Sequence, residues 1–425
     1  MELYKKVVSE WMEIKIPDPI PRDISFNEKL MDEFIIAVIG PRRAGKTYFM
    51  YQTMKKLIMS GVSRERIFYI NLEDERLSPL NSKVMDYILD AFHELYGPHD
   101  EYYLFLDEIQ NMSGWQSWLK RIKTLEGAKI MVSGSSSRLL SKELATELRG
   151  QVYPIEVFTI SFKEFVRFRG YDPEKLTKIP YGKIGITGRK LFSEYMKTSS
   201  YPALIFGNFD DFSTREILQG YYDAMVLRDV MERYSLRDIS LLRSLSKLLL
   251  NSVASEFTYT KLHKNLRSIG FSPSKSTVVE YVSYLQDAYL FFTLSRFNTS
   301  EKKRQISPKK VYVIDNGFID ALTFTGSEEI GKKLENLVFL ELLRKKKSIF
   351  YYKDVSECDF VVVERGRPVE AIQVTESLEN SMDREIRGLK KAMEDTGAKK
   401  GTIITINERK SIGNVGVIPA WEWFL

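Results

Sequence analysis

The chain has 425 residues, 44% of them hydrophobic and 12% aromatic, which excludes a disordered protein and allows roughly two to four domains with their own cores. A single cysteine, Cys358, excludes an intramolecular disulfide and a cysteine-based zinc site, and three scattered histidines, His93, His99 and His263, argue against a histidine-rich metal centre. The formal net charge of +6 permits an anionic partner without requiring one, and no apolar run approaches membrane-spanning length, so the chain reads as cytoplasmic and soluble with no membrane partner.

Three prolines in IPDPIPRDISFNEKLMDE (16–33) predict an extended arm ahead of the core. Ile35 to Val38 read as a buried parallel strand, and the pattern G-x-x-x-x-G-K-[ST] follows at once as Gly40, Gly45, Lys46 and Thr47. In the next stretch, YFMYQTMKKLIMSG, the residues Phe49, Met50, Met54, Leu57 and Ile58 fall on one helical face, and Gly61 suits the end of the helix. Strand, glycine loop and helix in this order make a polyphosphate cradle. Glycines let backbone N–H groups approach phosphates, the helix start adds partial positive charge, Lys46 reaches the terminal phosphates and the Thr47 hydroxyl ligates magnesium. The binding stretch comprises Gly40, Pro41, Arg42, Arg43, Ala44, Gly45, Lys46, Thr47 and Tyr48, with ATP and Mg²⁺ as expected ligands. An ordinary glycine-rich turn is the alternative, and an acidic partner downstream decides between them.

Arg66 to Leu72 predict a second strand, ending in Glu73, Asp74 and Glu75. Tyr102 to Glu108 (YYLFLDE) then supply the acidic partner, an apolar strand delivering Asp107 to hold magnesium through water and Glu108 to orient or deprotonate the attacking water. Adjacent residues on a strand point differently, so the two carboxylates can divide these tasks. Trp115, Trp118, Leu119 and Ile122 mark a packed helix, and AKIMVSG a further buried strand. In an additional-strand ATPase the polar residue at this strand end senses the γ-phosphate, which nominates Ser135, with Ser133 second. Serines capping a helix that begins near Arg138 fit equally well. VYPIEV gives a fifth strand, and five strands separated by helical patterns predict a parallel sheet covered on both faces.

Together GPRRAGKT, INLEDERL, LFLDEIQNMSGW, VSGSSSRLLSKELATELRG and FTISFKEF resemble the prokaryotic, archaeal-type AAA-like ATPases, which pair this module with a C-terminal region of unknown function. The resemblance implies nucleotide roles for Gly40, Arg42, Gly45, Lys46, Thr47, Asp107, Glu108 and Ser135. Gln151 stands where the family often has arginine, which leaves Arg149 or Arg42 to act as an arginine finger. The resemblance also implies that the helical pattern from Ser161 to about Tyr234 is a lid, in which Pro202 approaches the base; Ser199 and Ser200 replace the usual glycines before it. Arg228 and Asp229 within this stretch read as a structural ion pair, or as a nucleotide or subunit contact.

From 240 to 300 the order is helix, short strand, helix, turn, helix, then hairpin, which is the order of a winged helix. Its third helix would present Ser274, Lys275, Ser276, Glu280 and Ser283, with Lys302, Lys303 and Arg304 at the wing. The basic runs Lys302 to Lys310 and Arg344 to Lys347 read first as solvated surface. The last third, beginning with KKVYVIDNGFIDAL, alternates strands and helices around a second α/β core. Glu335, Asp359 and Gln373-Val374-Thr375 resemble the PD-(D/E)xK nuclease layout, but Thr375 stands at the lysine position, which implies an inactive scaffold.

The expected architecture is α/β: a P-loop NTPase core of additional-strand, AAA-like type over 1–160, a helical lid over 161–236, a winged helix over 237–305 and a restriction-endonuclease-like domain over 306–425. The expected activity is Mg²⁺-dependent ATP hydrolysis in a homo-oligomer, coupled to double-stranded or branched DNA; a nucleotide-dependent switch that binds protein partners is the alternative.

Overall fold

Apolar runs bounded by turn residues become strands buried on both faces, and β1 (Ile35–Ile39) is buried at every position. The computed structural model describes residues 1–18, 20–135, 148, 150–178, 182–323, 330–379 and 381–425, which divide into two units, Met1–Phe158 and Thr159–Leu425.

In the first unit β1 joins β2 (Ile67–Asn71), β3 (Tyr103–Asp107), β4 (Lys129–Gly134) and β5 (Val152–Glu156) in the order β2-β3-β4-β1-β5, all parallel. β4 lies between β1 and β3, so it is the additional strand. Helix Lys46–Met59 sets Phe49, Met50, Met54 and Leu57 against Ile36 and Val38 on one face, and Phe92 of helix Ser82–Tyr96 stacks on Phe68 at 4.9 Å. Ile58 departs from the expected stripe at 36% exposure, because it is rotated about 100° past the fully packed Leu57. Sequence reading had no helix at the N-terminus, yet Glu2–Glu13 is one, burying Val7, Val8 and Met12 and setting Trp11 edge-on to Tyr69 at 5.4 Å.

The second unit begins with helices, among them Phe162–Phe168 and Gly182–Lys197, whose Phe162, Phe192 and Tyr195 pack with Phe424. Helix Ile239–Leu250, β6 (Ser255–Phe257), helices Tyr259–Ser268 and Lys275–Asp287, β7 (Phe291–Ser295), helix Glu301–Ile306 and β8 (Lys309–Val313) follow. These strands form an antiparallel sheet in the order β6-β8-β7. KKVYV, expected among the C-terminal strands, is therefore the return strand of this smaller sheet. β9 (Ser348–Lys353), β10 (Glu357–Glu364), β11 (Arg367–Val374), β12 (Lys400–Thr405), β13 (Lys410–Ile412) and β14 (Val415–Pro419) make a mixed sheet in the order β13-β14-β12-β11-β10-β9. Among the described residues no helix is long and apolar enough to cross a membrane.

Candidate active site

The glycine loop turns out of β1 at Gly40, whose φ is +146° and where a Cβ would lie 2.1 Å from the carbonyl oxygen of Val157. Only glycine fits there. Arg43 and Gly45 take left-handed backbone at φ 64° and 95° before Lys46 opens the helix. Lys46 is 4% exposed, and its Nζ donates to the carbonyls of Gly40 (3.2 Å) and Pro41 (3.0 Å), folded back over the loop it is expected to serve.

Thr47, Tyr69 and Ser133 converge on one carboxylate. Thr47 Oγ1 donates to Asp107 Oδ2 at 2.6 Å, the Tyr69 hydroxyl donates to the same oxygen at 3.0 Å, and Ser133 Oγ donates to Oδ1. Burial pushes the Asp107 carboxyl above its ordinary value, opposed by the hydroxyls of Ser133, Thr47 and Tyr69, while the neighbouring Glu108 charge pushes it further up. Burial and the Asp107 charge raise the Tyr69 phenol far above its usual range, so it stays a donor.

Glu108 leaves the strand through a left-handed residue, φ 58° and ψ 53°. Its N–H donates to Ser133 Oγ at 2.9 Å and its half-buried carboxylate accepts from Gln110 Nε2. Glu108 therefore lies just past β3, which ends at Asp107, so the expected alternation along a strand does not apply to it. Ser133 bridges the two acids, whereas Ser135, just past β4, is fully buried. Arg42 approaches Glu73 at 3.9 Å, and Tyr48 is 52% exposed with its ring edge-on to Tyr51. Arg149, Ser136 and Ser137 lie outside the described residues. Pro202 belongs to the second unit, where it opens helix Pro202–Phe206 behind Tyr201. The buried Asp315 fixes that turn by accepting from the N–H of Ser200 at 2.6 Å and from its hydroxyl.

Sequence reading missed Arg22. In the proline-rich arm, buried to 8% exposure, its guanidinium donates to Ala44 O in the glycine loop (2.7 Å) and to Phe158 O (2.6 Å). It also missed Tyr69, although a tyrosine in β2, hydrogen-bonded to β3, was a visible signal. A loop with no room for a Cβ, an ammonium whose acceptors are the loop's own carbonyls, and a hydroxyl beside a carboxylate fit a magnesium nucleotide: Mg²⁺ takes hard oxygen ligands, and a triphosphate takes N–H groups and Lys46.

In the second unit several readings change. Lys310, expected in a solvated basic run, is 1% exposed and forms ion pairs with Glu335 (3.0 Å), Glu357 (2.9 Å) and Asp359 (2.9 Å). β8 carries it inward on the same face as Tyr312. Asp229 is buried and pairs with Arg233 at 4.0 Å, one helical turn on, while Arg228 is exposed. Ser274, Lys275, Ser276, Glu280 and Ser283 are exposed, as are Lys302 and Lys303. Thr375 donates its N–H to Ile404 O and its hydroxyl to Ser377 O.

A family model described as an AAA domain matches residues 32–166, and two described as domains of unknown function match 189–329 and 330–423. The chain is 33% identical over 443 residues to "Uncharacterized protein MJ1544" of Methanocaldococcus jannaschii, covering 100% of this chain and 95% of that one. It is 28% identical over 330 residues to a protein of Haemophilus influenzae, covering 77% and 79%. Among solved structures, the Walker-type ATPase PABY2304 of Pyrococcus abyssi is similar at a TM-score of 0.41 and 14% identity, covering 72% of this chain and 99% of that one.

Proposed function

Because this chain belongs to the family of the Methanocaldococcus jannaschii protein MJ1544 and carries an AAA-type P-loop domain over residues 32–166, we propose that it is a Mg²⁺-dependent ATPase that couples hydrolysis to the binding or remodelling of DNA. The observation that carries the ATPase reading is the meeting of Thr47 with Asp107 at 2.6 Å beside a loop that admits no side chain at Gly40. Gly40 to Tyr48 would hold the phosphates, with Lys46 exchanging loop carbonyls for terminal phosphate oxygens. Thr47 and Asp107 would hold Mg²⁺, which supplies Lewis-acid neutralisation of the phosphate charge. Glu108, turned out of the strand and half exposed, orients and deprotonates the attacking water. Ser135 senses the γ-phosphate, Pro202 contacts the base, and Arg149 or Arg42 stabilises the transition state, in a homo-oligomer from the neighbouring subunit. The protein acts in the cytoplasm.

The DNA arm rests on the second unit. The order β6-β8-β7 with three helices supports a winged helix that extends to Val313, and Lys302 and Lys303 stand exposed between β7 and β8. The antiparallel β9-β10-β11 followed by parallel β12, with Glu335 and Asp359 close together, supports an inactive nuclease-like scaffold. A second reading, a nucleotide-dependent assembly or signalling switch that binds proteins, is favoured by the third helix, whose exposed face carries only Lys275 and Glu280 as charges beside Val279 and serines. ATP turnover measured with and without duplex and branched DNA at two salt concentrations separates them. DNA-stimulated turnover that weakens steeply with salt supports the first reading; nucleotide-dependent oligomer size without a DNA effect supports the second. Glu108→Gln should keep ATP bound and unhydrolysed, and an unchanged turnover number would remove Glu108 from the mechanism.

A further inference from the structure

Lys310 is the only lysine in its strand that points inward, and what surrounds it goes beyond the ATPase reading and does not depend on it. Its three N–H groups face three carboxylates from two elements: Glu335 on helix Ile330–Arg344, and Glu357 and Asp359 on β10. The carboxylates have further partners, Glu335 through the oxygen that Lys310 contacts and the other two through their second oxygens. Tyr312 OH donates to Glu335 Oε1 at 2.7 Å, Val374 N–H donates to Asp359 Oδ2 at 2.9 Å, and Lys353 pairs with Glu357 Oε2 at 3.1 Å. Gln373 on β11, one position past the Phe360–Ile372 pair, is 8% exposed, with its buried Oε1 unpaired. Oxygens from three carboxylates gathered around one ammonium are donors of the kind a hard divalent cation takes.

We propose that the Lys310 ammonium is a built-in substitute for a divalent metal ion: it occupies the carboxylate cluster of Glu335, Glu357 and Asp359, so that this unit keeps its fold without metal and cannot take one up. Among the described residues no group of three or more His, Cys, Asp or Glu is disposed to hold a metal ion as the chain stands; at this cluster the position is filled. Burial pulls the Lys310 ammonium's pKa down, but the carboxylates of Asp359, Glu335 and Glu357 outweigh it and hold the ammonium charged. Burial, reinforced by Asp359, lifts Glu335 to about 8 even though Lys310 pulls it down. The Nζ–O separations of 2.9 to 3.0 Å exceed the roughly 2.3–2.6 Å of calcium ligation, so the carboxylates must close in by a few tenths of an ångström on a metal.

The test uses the full chain with Lys310→Ala. Thermal unfolding is followed with EDTA and with millimolar MnCl₂ or CaCl₂, and Mn²⁺ binding is measured by electron paramagnetic resonance without nucleotide. The variant is expected to unfold several degrees below the parent in EDTA, to recover most of that loss with Mn²⁺ or Ca²⁺, and to bind one Mn²⁺ more than the parent. Adding Asp359→Asn should abolish both gains. A Lys310→Ala protein that neither binds more Mn²⁺ than the parent nor responds in its unfolding temperature overturns the proposal. Should that variant not fold, Lys310→Met combined with Glu335→Gln and Asp359→Asn, which removes the charge the ammonium balances, is expected to fold without metal. Failure of both shows that Lys310 does more than stand in for a cation, and also overturns it.

Discussion

Replacing Arg22 with alanine tests whether the arm ahead of β1 is part of the nucleotide site. The guanidinium bridges Ala44 O in the glycine loop and Phe158 O, next to the Val157 carbonyl that forms the wall behind Gly40. Hydrogen bonds from a charged donor contribute about 1.5–3 kcal/mol each, and removing the donor takes a partner from two buried carbonyls. Neighbouring effects are not additive, so the low end applies, about 3 kcal/mol in all. For a unit of this size that is a fall of roughly 6–12 °C in the unfolding temperature. A loop freed from its wall also presents its N–H groups less rigidly, and a loss of about 1.4 kcal/mol of preorganisation is a tenfold loss of nucleotide affinity. Arg22→Lys, a point charge that reaches one carbonyl at a time, should recover about half of the stability. Differential scanning fluorimetry and titration with a fluorescent ADP analogue read both effects. An unfolding temperature within about 2 °C of the parent, together with unchanged nucleotide affinity, refutes the reasoning.

Tyr69→Phe removes one of the hydroxyls holding Asp107, at a cost of about 1 kcal/mol. Because that hydrogen bond lowers the Asp107 pKa, its loss raises it further; in the proposed role Asp107 would have to be ionised to hold Mg²⁺, so the acid limb of the kcat/KM profile should move to higher pH, and a limb that stays or moves down refutes this. Gly40→Ala places a methyl against backbone at 2.1 Å, where neither a rotamer nor a flexible neighbour can relieve the overlap, so nucleotide titration should show binding lost by at least about tenfold; ordinary affinity would mean that the loop and Val157 are not held together in solution.

The glycine motif and β1 to β5 were legible because their signals are local: continuous apolar runs, fixed glycine offsets and an acid at a strand end. Glu108 shows the limit of that reading, since it reads as the last residue of the strand but lies past its end in left-handed backbone. Arg22 left no signal, because its partners are backbone carbonyls and any sequence supplies those. The N-terminal helix had one, Val7, Val8, Trp11 and Met12 at helical spacing, masked by the charges that form its wet face. Lys310 was hidden by its neighbours. Lys302, Lys303, Lys309 and Lys310 read as one basic run, but β8 begins at Lys309, and from there side chains alternate across the sheet, sending Lys310 inward with Tyr312.

Two buried carboxylate sites are satisfied in chemically different ways, and the difference matches the separate roles proposed for them. Asp107 is held by three neutral hydroxyls, each contributing about 1 kcal/mol net, which a cation can displace one at a time. Glu335 and Asp359 are held by an ammonium on their own chain, and taking one partner from a buried ion pair costs about 3–5 kcal/mol. On the proposed reading Asp107 would accept and release a metal nucleotide in every cycle, which needs the first kind of partner. A carboxylate that must never open needs the second. Asp107 is accordingly the carboxylate free to trade its partners, and the cluster around Lys310 is closed by the chain itself.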